Sequence, residues 1–222
     1  SQKCRVHARF SGYKSLYDVY KLKKDLILKE IKESGYEPNP ETIKEYFFEK
    51  GYRQATNFNT TLAKLVLETF QPKNWLDPSA GWGDRLIAAL AYGNCNYTGI
   101  DPSECMSPVY NDIIDKLSDS KNKFSYKVLK QGFEDFNPEQ ESYDLVFTSP
   151  PFFTLEIYED SETQSVNKFK EISDWKANFM FPLLEKSELA LQTGGHLILY
   201  IADNKKVKIH YVKDVLNYID SN

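Results

Sequence analysis

A glycine turn between an apolar stretch and a helical pattern constrains the fold more than any other feature of the sequence. Trp75 and Leu76 lead into the turn, Gly81 and Gly83 stand within it, and residues 86–91 are good helix formers. The pattern predicts a strand, a turn and a helix in that order. Glycine lets the backbone approach a ligand closely, and the helix begins with free N–H groups. Such a unit is typical of the nucleotide-binding edge of an open α/β sheet.

Length and composition favour one α/β domain with an extension. The chain has 222 residues, and its character changes near residues 38–51, where proline and glycine interrupt the pattern. Residues 1–54 show helical periodicity at 22–31 and 41–50 and no strand pattern, so we predict a small helical extension. We predict that residues 55–222 form a Rossmann-like, doubly wound domain with a mostly parallel sheet.

Charge is distributed unevenly along the chain. The formal net charge is -4, but residues 1–32 contain nine basic and three acidic residues, so they carry +6 and the remainder carries −10. Arg5, Arg9 and Lys14 are interleaved with aromatic residues, a pattern that suits stacking on unpaired nucleic-acid bases. The same pattern suits a solvated helix face or packing on a neighbouring helix, so both interpretations stay open.

Cysteine content and hydropathy bear on the cellular compartment. Cys4, Cys95 and Cys105 are too few and too scattered to predict a disulfide framework or a zinc site. No apolar run approaches the length of a membrane span, and the first residues lack an apolar signal segment. We therefore expect an intracellular protein, cytoplasmic or nuclear, that does not associate with membranes.

A carboxylate ends the second predicted strand, residues 97–101. Asp101 follows the glycine turn by about 20 residues, the spacing at which an acidic group meets the ribose of a bound nucleotide. A carboxylate can accept hydrogen bonds from both ribose hydroxyls. Pro102 follows directly and is assigned to the same site. An aspartate at a strand end can also cap a helix, which is the structural alternative.

Two further loops are predicted beside this edge of the sheet. A strand at 124–129 leads to Phe133 and Glu134, which could hold a planar adenine between a ring and a polar group. Phe133 is equally suited to anchoring the core. Asn57 lies in a polar segment before a predicted helix at 62–70 and could bind a carboxylate of the ligand. That segment could instead only cap the helix through one of its threonines.

A diproline segment follows the fourth predicted strand, residues 143–147. Two prolines fix an extended backbone and remove N–H donors, so carbonyl oxygens point in one direction. A planar base with an exocyclic amino group would find hydrogen-bond acceptors and stacking faces there. The structural alternative is a loop that merely stops the strand. The residues assigned to this site are Ser149, Pro150, Pro151 and Phe152, with Phe153 as a nucleic-acid contact.

The remaining segments complete an α/β pattern. Residues 155–168 are polar and acidic and predict a mobile loop over the site. Residues 172–191 give the longest helical pattern, 196–203 a buried strand, and 212–219 a short amphipathic helix.

Together the glycine turn and the diproline segment resemble those of class I S-adenosylmethionine-dependent methyltransferases, in particular enzymes that methylate exocyclic amino groups of nucleic-acid bases. The resemblance covers residues 56–203. Residues 77–83 look like the family's glycine motif, which cradles the methionine part of the cofactor, and Asp101 matches its ribose-binding acid. Ser149-Pro150-Pro151-Phe152 is similar to its catalytic tetrapeptide. The cofactor-binding residues so implied in the glycine motif are Asp77, Pro78, Ser79, Ala80, Gly81 and Gly83.

The resemblance implies a mechanism and a class of substrate. The Ser149 hydroxyl and the Pro150 carbonyl would accept hydrogen bonds from the target amine and aim its lone pair at the sulfonium methyl group. Phe152 would stack on a flipped or unpaired base. S-adenosylmethionine supplies the electrophile, so no metal is implied. The acceptor is expected to be cytosine N4 or adenine N6, in DNA or RNA.

Three departures from the family pattern affect these expectations. Serine replaces the commoner aspartate or asparagine at position 149, which within the family is seen most with cytosine N4 methylation, although adenine enzymes overlap. No insertion is long enough for a target-recognition region, so recognition would come from the basic extension, a protein partner or sequence outside this chain. After Asp203 there is little room for the family's usual antiparallel hairpin.

Other functions fit the sequence less well. A nicotinamide-dependent dehydrogenase would need a third glycine where Leu86 stands, and cytosine C5 methylation needs a cysteine beside the prolines. Protein glutamine methylation uses an Asn-Pro-Pro-Tyr segment, from which Ser149 and Phe152 both differ. The alternative that stays open is a catalytically silent subunit that binds RNA or a protein partner.

Overall fold

A parallel β-sheet forms the centre of the protein. In the computed structural model, which describes residues 2–119, 123–203 and 210–221, five strands occur in the order β4-β3-β2-β5-β7 and every neighbouring pair is parallel. The chain enters at the central strand, builds one edge, and then crosses to the other side. This reversal places a topological switch point between β2 and β5, where open α/β sheets bind ligands. The strands are β1 (Arg9–Phe10), β2 (Asn74–Asp77), β3 (Asn96–Ile100), β4 (Tyr126–Leu129), β5 (Tyr143–Thr148), β6 (Glu156–Ile157) and β7 (Leu191–Leu199).

Helices cover both faces of the sheet, which confirms the predicted doubly wound α/β architecture. The helix that begins at Leu16 is longer than predicted because the Ser15 hydroxyl accepts a hydrogen bond from the Asp18 N–H and caps it. The helices are α1 (Gln2–Arg5), α2 (Leu16–Glu33), α3 (Pro40–Glu49), α4 (Thr60–Phe70), α5 (Asp84–Tyr92), α6 (Ser107–Leu117), α7 (Ser165–Lys168), α8 (Ile172–Trp175), α9 (Phe181–Ala190) and α10 (Val212–Ser221), with a 3-10 turn at Phe133–Asp135 and a π-helical turn at Lys176–Met180.

The core has one layer on each side of the sheet. Trp75 and Tyr97 are fully buried with α4, α5 and α6 on one face, and Leu76 is fully buried with Trp175 on the face covered by α8, α9 and α10. Alternate residues of β2 therefore point to opposite layers, as expected for a strand covered on both faces. A smaller third cluster joins α2 to α3 through Ile27 and Phe47.

The N-terminal segment is attached to the sheet domain by a short strand and a disulfide. β1 pairs antiparallel with β6, so that Phe10 lies opposite Glu156. Cys4 forms a disulfide with Cys105. The prediction that residues 1–54 contain no strand is wrong, because a two-residue strand pairing with a distant segment produces no periodicity. The disulfide was not expected either, and it removes the cysteine argument for a reducing compartment.

Several other helices and strands begin or end at residues that differ from the sequence-based prediction. Asn59 Oδ1, rather than a threonine hydroxyl, caps α4 by accepting from the Leu62 N–H at 3.1 Å. The predicted long helix is divided into α8, the π-helical turn and α9, since Pro182 has no N–H to continue the hydrogen-bond ladder. The predicted loop at 155–168 contains β6 and α7. In the described part of the chain, none of the helices has the length and apolar character of a membrane span.

The last strand differs from its prediction in position and burial. β7 begins at Leu191, ahead of the glycine pair that was expected to precede it, and ends at Leu199. Its pairing with β5 shifts register between Tyr143 and Leu145. Several of its residues are exposed, because it is the edge strand of the described sheet.

Candidate functional site

Two adjoining pockets open where β2, β3 and β5 end, at the switch point of the sheet. We call them the Asp101 pocket, lined by residues from the loops after β2, β3, β4 and β5, and the Phe152 pocket, lined by residues before α4, in the glycine turn and after β5. The residues that line both are Ser79, Gly81, Trp82, Ser149 and Tyr158. The glycine turn and the diproline segment therefore meet in one wall, as the sequence predicts.

The glycine turn is held by hydrogen bonds to β3. The Ala80 N–H donates to the Ile100 carbonyl at 2.9 Å, and the Gly81 N–H donates to Asp101 Oδ2 at 2.9 Å. Gly81 has φ +61°, a left-handed conformation that glycine adopts without strain. Gly83 does not line either pocket, and a Cβ there would lie 2.8 Å from Ile113 Cδ1. Gly83 thus permits close packing of α5 on α6.

Asp101 lies in the wall of its pocket with both carboxylate oxygens engaged. Oδ2 accepts from the Gly81 N–H, and Oδ1 accepts from the Ser103 N–H at 3.0 Å. Burial raises the pKa of Asp101 to about 6, although these two N–H groups oppose that shift. Each oxygen of an ionised carboxylate retains a further lone pair, so Asp101 can hold the turn and still accept from a ligand hydroxyl. The structural and the ligand-binding roles are compatible.

Asp77, predicted to bind the cofactor, lies beneath the pockets rather than in their walls. It is fully buried, and the groups that donate to its carboxylate are Arg85 Nε at 2.8 Å, the Tyr97 hydroxyl at 2.8 Å, the Thr148 hydroxyl at 2.9 Å and the Ser79 N–H at 3.2 Å. These donors belong to α5, β3, β5 and the glycine turn. Asp77 therefore joins the elements that form the floor of the site.

The rest of the glycine motif is divided between the two pockets. Pro78 lines the Asp101 pocket with Pro102, and Ala80 lines the Phe152 pocket although only 2% of its surface is exposed. Asn57 also lines the Phe152 pocket, where its side-chain amide donates to Asp84 Oδ1 at 2.7 Å. Among these predicted ligands, the structure thus places Asn57 on the opposite side of the shared wall from Asp101.

The diproline segment runs between the pockets. Ser149 lines both, Pro151 lines the Asp101 pocket, Phe152 lines the Phe152 pocket, and Pro150 is buried behind them. Phe153 is 5% exposed and packs on Trp175 with ring centroids 5.7 Å apart. The prediction that Phe153 contacts nucleic acid is therefore wrong. Its φ of +51° accompanies a turn of the backbone that directs the ring into the core.

The loop after β4 closes the far end of the Asp101 pocket. Phe133 and Glu134 both line it, and Phe133 is only 2% exposed, so this residue serves the core and the pocket together. The Lys168 ammonium lies 2.5 Å from Glu134 Oε1. The Lys186 ammonium donates to the main-chain carbonyls of Glu134 at 2.6 Å and Phe136 at 2.8 Å. Two lysines therefore hold this loop in place.

Aromatic and acidic side chains that the sequence analysis missed form much of the Phe152 pocket. They are Phe58, Trp82, Glu156, Tyr158 and Tyr200. The Tyr158 hydroxyl donates to Glu156 Oε2, and the Tyr158 ring meets the Trp82 ring edge to face at 5.4 Å. Glu156 and Tyr158 stand at positions i and i+2 shortly after the diproline segment, a spacing that places two side chains on the same side of an extended chain. That spacing is the signal that could have identified this pair.

The basic residues of the extension lie at different distances from the pockets. The Arg5 guanidinium lies 5.7 Å from the centroid of the Trp82 ring, at the shared wall. Arg9 forms an ion pair with Asp160, and Lys14 is exposed. Arg9 and Lys14 line a separate shallow groove with Lys21. The structure thus brings Arg5, but not Arg9 or Lys14, to the candidate site.

Comparison with solved structures decides the fold. A geranyl diphosphate methyltransferase in complex with S-adenosylmethionine superimposes with a TM-score of 0.51 at 14% identity, over 73% of this chain and 64% of that one. An S-adenosylmethionine-dependent O-methyltransferase from Thermotoga maritima gives a TM-score of 0.50 at 9% identity, over 79% and 54%. The chain has the Rossmann-like class I methyltransferase fold. It spans less than two thirds of each of those two proteins. No protein-family model matches the sequence, and no curated protein sequence does so either.

Proposed function

We propose that this chain is an S-adenosylmethionine-dependent methyltransferase that acts on an exocyclic amino nitrogen of a nucleic-acid base, cytosine N4 or adenine N6, in DNA or RNA. The observation that carries the proposal is the position of Ser149 in the wall shared by the two pockets. A donor in the Asp101 pocket and an amine in the Phe152 pocket would meet at this hydroxyl. Methyl transfer requires that kind of meeting, because the reacting atoms must be aligned at close range.

The charge of the Asp101 pocket favours the cofactor. Its carboxylates are Asp101, Glu134 and Glu159, and none of the described residues that line it is a lysine, arginine or histidine. S-adenosylmethionine carries a sulfonium and an ammonium group against one carboxylate, so an acidic pocket favours it. The pyrophosphate of a nicotinamide cofactor would be repelled. Asp101 would accept from the ribose, Gly81 and Ser79 would border the methionine part, and Phe133 and Glu134 would border the adenine. When bound, the cofactor supplies an electrophilic methyl group on sulfur.

The Phe152 pocket suits a planar acceptor that carries an amine. Phe58, Phe152 and Tyr200 offer ring faces and edges on which an unpaired base can stack. The Ser149 hydroxyl and the Pro150 carbonyl would accept from the amine and orient its lone pair. A base inside a duplex cannot reach such a pocket, so the substrate would be single-stranded or flipped.

Recognition of the nucleic acid is assigned to the N-terminal segment and to a partner. Arg5 lies at the mouth of the site, and Arg9 and Lys14 lie on the groove beyond it, where they could contact phosphates. A protein partner, or sequence outside this chain, would supply the remaining specificity. A nucleic-acid substrate would be met in the cytoplasm or the nucleus, which is the location that this proposal implies.

Methyl transfer to a defined panel of polymers tests the proposal. Tritium-labelled S-adenosylmethionine is incubated with single- and double-stranded DNA and RNA, and the digested nucleosides are separated. We expect label in N4-methylcytosine or N6-methyladenine, with single-stranded substrates preferred. Cofactor binding measured by calorimetry is the parallel control. Cofactor binding without labelled nucleoside would favour the silent subunit, and absence of both would overturn the assignment.

A further inference from the structure

The proposed reaction leaves a proton that the diproline segment cannot accept. The amine lone pair forms a new N–C bond, the C–S bond of the sulfonium donor breaks, and its electron pair remains on sulfur. The nitrogen then carries a positive charge and one proton too many. A serine hydroxyl and an amide carbonyl, which are the groups that Ser149 and Pro150 offer, are very weak bases. A stronger base near the amine would complete the reaction.

Glu156 has the position required of such a base. It lies on β6, only four residues after Phe152, and lines the Phe152 pocket together with Ser149. It is half-buried, and its Oε2 accepts a hydrogen bond from the Tyr158 hydroxyl. The other carboxylate oxygen, Oε1, can accept a proton from a ligand in the pocket.

We propose that the Glu156 carboxylate is the general base that takes the proton from the methylated amine, and that Tyr158 is the positioning residue that holds it. The proposal rests on the function proposed above. The proton moves from nitrogen to Glu156, which becomes a neutral carboxylic acid and afterwards releases the proton to water. Atoms and charges balance with a sulfonium methyl donor as the only co-reactant.

The surroundings of Glu156 make it a better base than an exposed glutamate. Burial raises the pKa of Glu156, and the hydrogen bond from Tyr158 lowers it by a smaller amount. A carboxylate with a raised pKa binds a proton more strongly. The Tyr158 hydroxyl keeps its own proton, since burial raises the pKa of Tyr158 well above its usual range, and so it stays a donor.

The other charged or titratable groups around the pocket either have hydrogen-bond or ion-pair partners or are exposed to solvent. Asp84, at the start of α5, accepts from the Asn57 amide, and Arg85 donates to Asp77 and to the Ser79 carbonyl. Tyr200 is exposed and stacks edge to face on Phe58. On the neighbouring strand β1, Arg9 pairs with Asp160. Two carboxylates occur among the described residues that line this pocket, Asp84 and Glu156. Asp84 accepts a hydrogen bond from an amide, whereas Glu156 accepts one from the phenol of Tyr158.

The N-terminal segment fixes the strand that carries Glu156. Phe10 lies opposite Glu156 in the β1–β6 pair, and the Ser11 N–H donates to the Leu155 carbonyl at 2.6 Å. The disulfide between Cys4 and Cys105 ties the same segment to the loop that follows Asp101. The extension thereby connects the strand of the proposed base to the sheet domain.

The test measures the single-turnover rate at saturating cofactor between pH 5 and 9, with the polymer that the panel identifies. For the wild type we expect the rate to fall at low pH as Glu156 becomes protonated. Glu156→Gln should lower the rate at pH 8 by about 10²–10³-fold, because the amide cannot accept the proton. It should also abolish the fall of the rate at low pH, the acid limb of the pH profile. Tyr158→Phe should move the limb to higher pH, because the hydrogen bond that opposes protonation is lost.

Two readouts do not depend on turnover. Carboxyl-carbon NMR of the protein labelled in glutamate should show one resonance that titrates above the ordinary glutamate range, disappears in Glu156→Gln and shifts upward in Tyr158→Phe. The dissociation constant of S-adenosylmethionine should stay within about twofold of wild type in Glu156→Gln, since Glu156 does not line the Asp101 pocket. Glu139→Gln, an exposed carboxylate outside both pockets, is the matched control and should behave as wild type.

Specific outcomes overturn the proposal. A rate for Glu156→Gln within about threefold of wild type, or an acid limb that persists in it, excludes Glu156 as the base. If the limb disappears in Asp84→Asn instead, the neighbouring carboxylate has that role. If the wild-type protein produces no methylated nucleoside, the proposed function fails and this proposal fails with it, whereas labelled nucleoside with an unaffected Glu156→Gln variant overturns this proposal alone.

Discussion

The two pockets of the site are built in different ways. The Asp101 pocket depends on the ends of consecutive strands, with the glycine turn, Asp101 and the loop of Phe133 each following its strand directly. The Phe152 pocket is assembled from segments far apart in sequence, which include Phe58, Glu156 and Tyr200. The strand-end loops of the Asp101 pocket follow from strand topology, although Cys4 and Phe179 also line it, whereas the Phe152 pocket depends mainly on tertiary packing. The first could be shared by many enzymes of one fold, and the second is where a substrate preference would be set.

The largest expected effect comes from the wall between the pockets. Ser149→Ala combined with Phe152→Ala should lower methyl transfer by at least about 10³-fold, because the amine loses both its acceptor and its stacking face. Cofactor affinity should change by no more than about threefold. Product analysis and calorimetry measure the two quantities. Phe48→Ala, which removes an exposed aromatic ring elsewhere, is the control. Continued turnover of the double variant would place the reaction at another site.

The floor beneath both pockets is the next target. Asp77→Ala should lower the free energy of unfolding by about 3–5 kcal/mol, because the Arg85 guanidinium is left buried without its carboxylate. Urea unfolding followed by circular dichroism measures the loss. Glu68→Ala, which removes an exposed i,i+4 pair with Lys64, should cost about 0.5 kcal/mol or less. Equal losses of unfolding free energy in the two variants would contradict the conclusion that Asp77 joins the elements beneath the pockets.

A change confined to the Asp101 pocket should separate the two pockets. Asp101→Ala is expected to weaken binding of S-adenosylmethionine by about 10–100-fold, since hydrogen bonds from ribose to a charged acceptor are lost. Calorimetric titration gives the dissociation constant. At saturating cofactor, the single-turnover rate should remain within about threefold of wild type. Unchanged cofactor affinity would refute the ribose assignment.

The smallest effect concerns the charge of Asp101. Its pKa of about 6 lies above the ordinary value, so the carboxyl becomes protonated as the pH falls through that value and can then accept fewer hydrogen bonds. Cofactor affinity should therefore decrease by about tenfold between pH 7 and pH 5. The effect on folding has the opposite sign. The buried carboxyl stabilises the fold while it is protonated, so its contribution to the free energy of unfolding is lost as the pH rises through about 6. Asp101→Asn should remove the pH dependence of cofactor affinity and that of the free energy of unfolding. If the affinity of this variant still changes with pH, a titrating group of the ligand causes the change.

The same division explains what the sequence could predict. Gly81 and Asp101 are separated by the length of one helix and one strand, so their spacing alone indicates that they meet. Ser149 could be placed because it directly follows β5, the strand that neighbours β2. Phe58 and Tyr200, by contrast, become neighbours only when α4 and β7 pack on the sheet, and their ring centroids lie 5.2 Å apart.

The positions at which the structure differs from the sequence-based expectation have a common physical origin. Phe153 follows Phe152 directly, yet only Phe152 lines a pocket, whereas Phe153 has a positive φ and is buried against Trp175, and composition cannot show this difference. Asp77 has the residue type of a ligand, but its donors come from four separate elements, so its burial depended on the completed fold. β1 was missed because its partner, β6, lies some 150 residues later in the chain.

The covalent link between Cys4 and Cys105 has a practical consequence. It closes a ring with a sequence separation of 101 residues, which contains the glycine turn, the central strand and Asp101. The extension is therefore not an appendage that can be trimmed to simplify the protein. A version that begins at residue 55 would lose the disulfide. It would also lose β1, the strand that pairs with β6. A different leading segment on the same sheet would therefore alter the Asp101 pocket as well, because Cys4 lines that pocket and is bonded to Cys105 in the loop after Asp101.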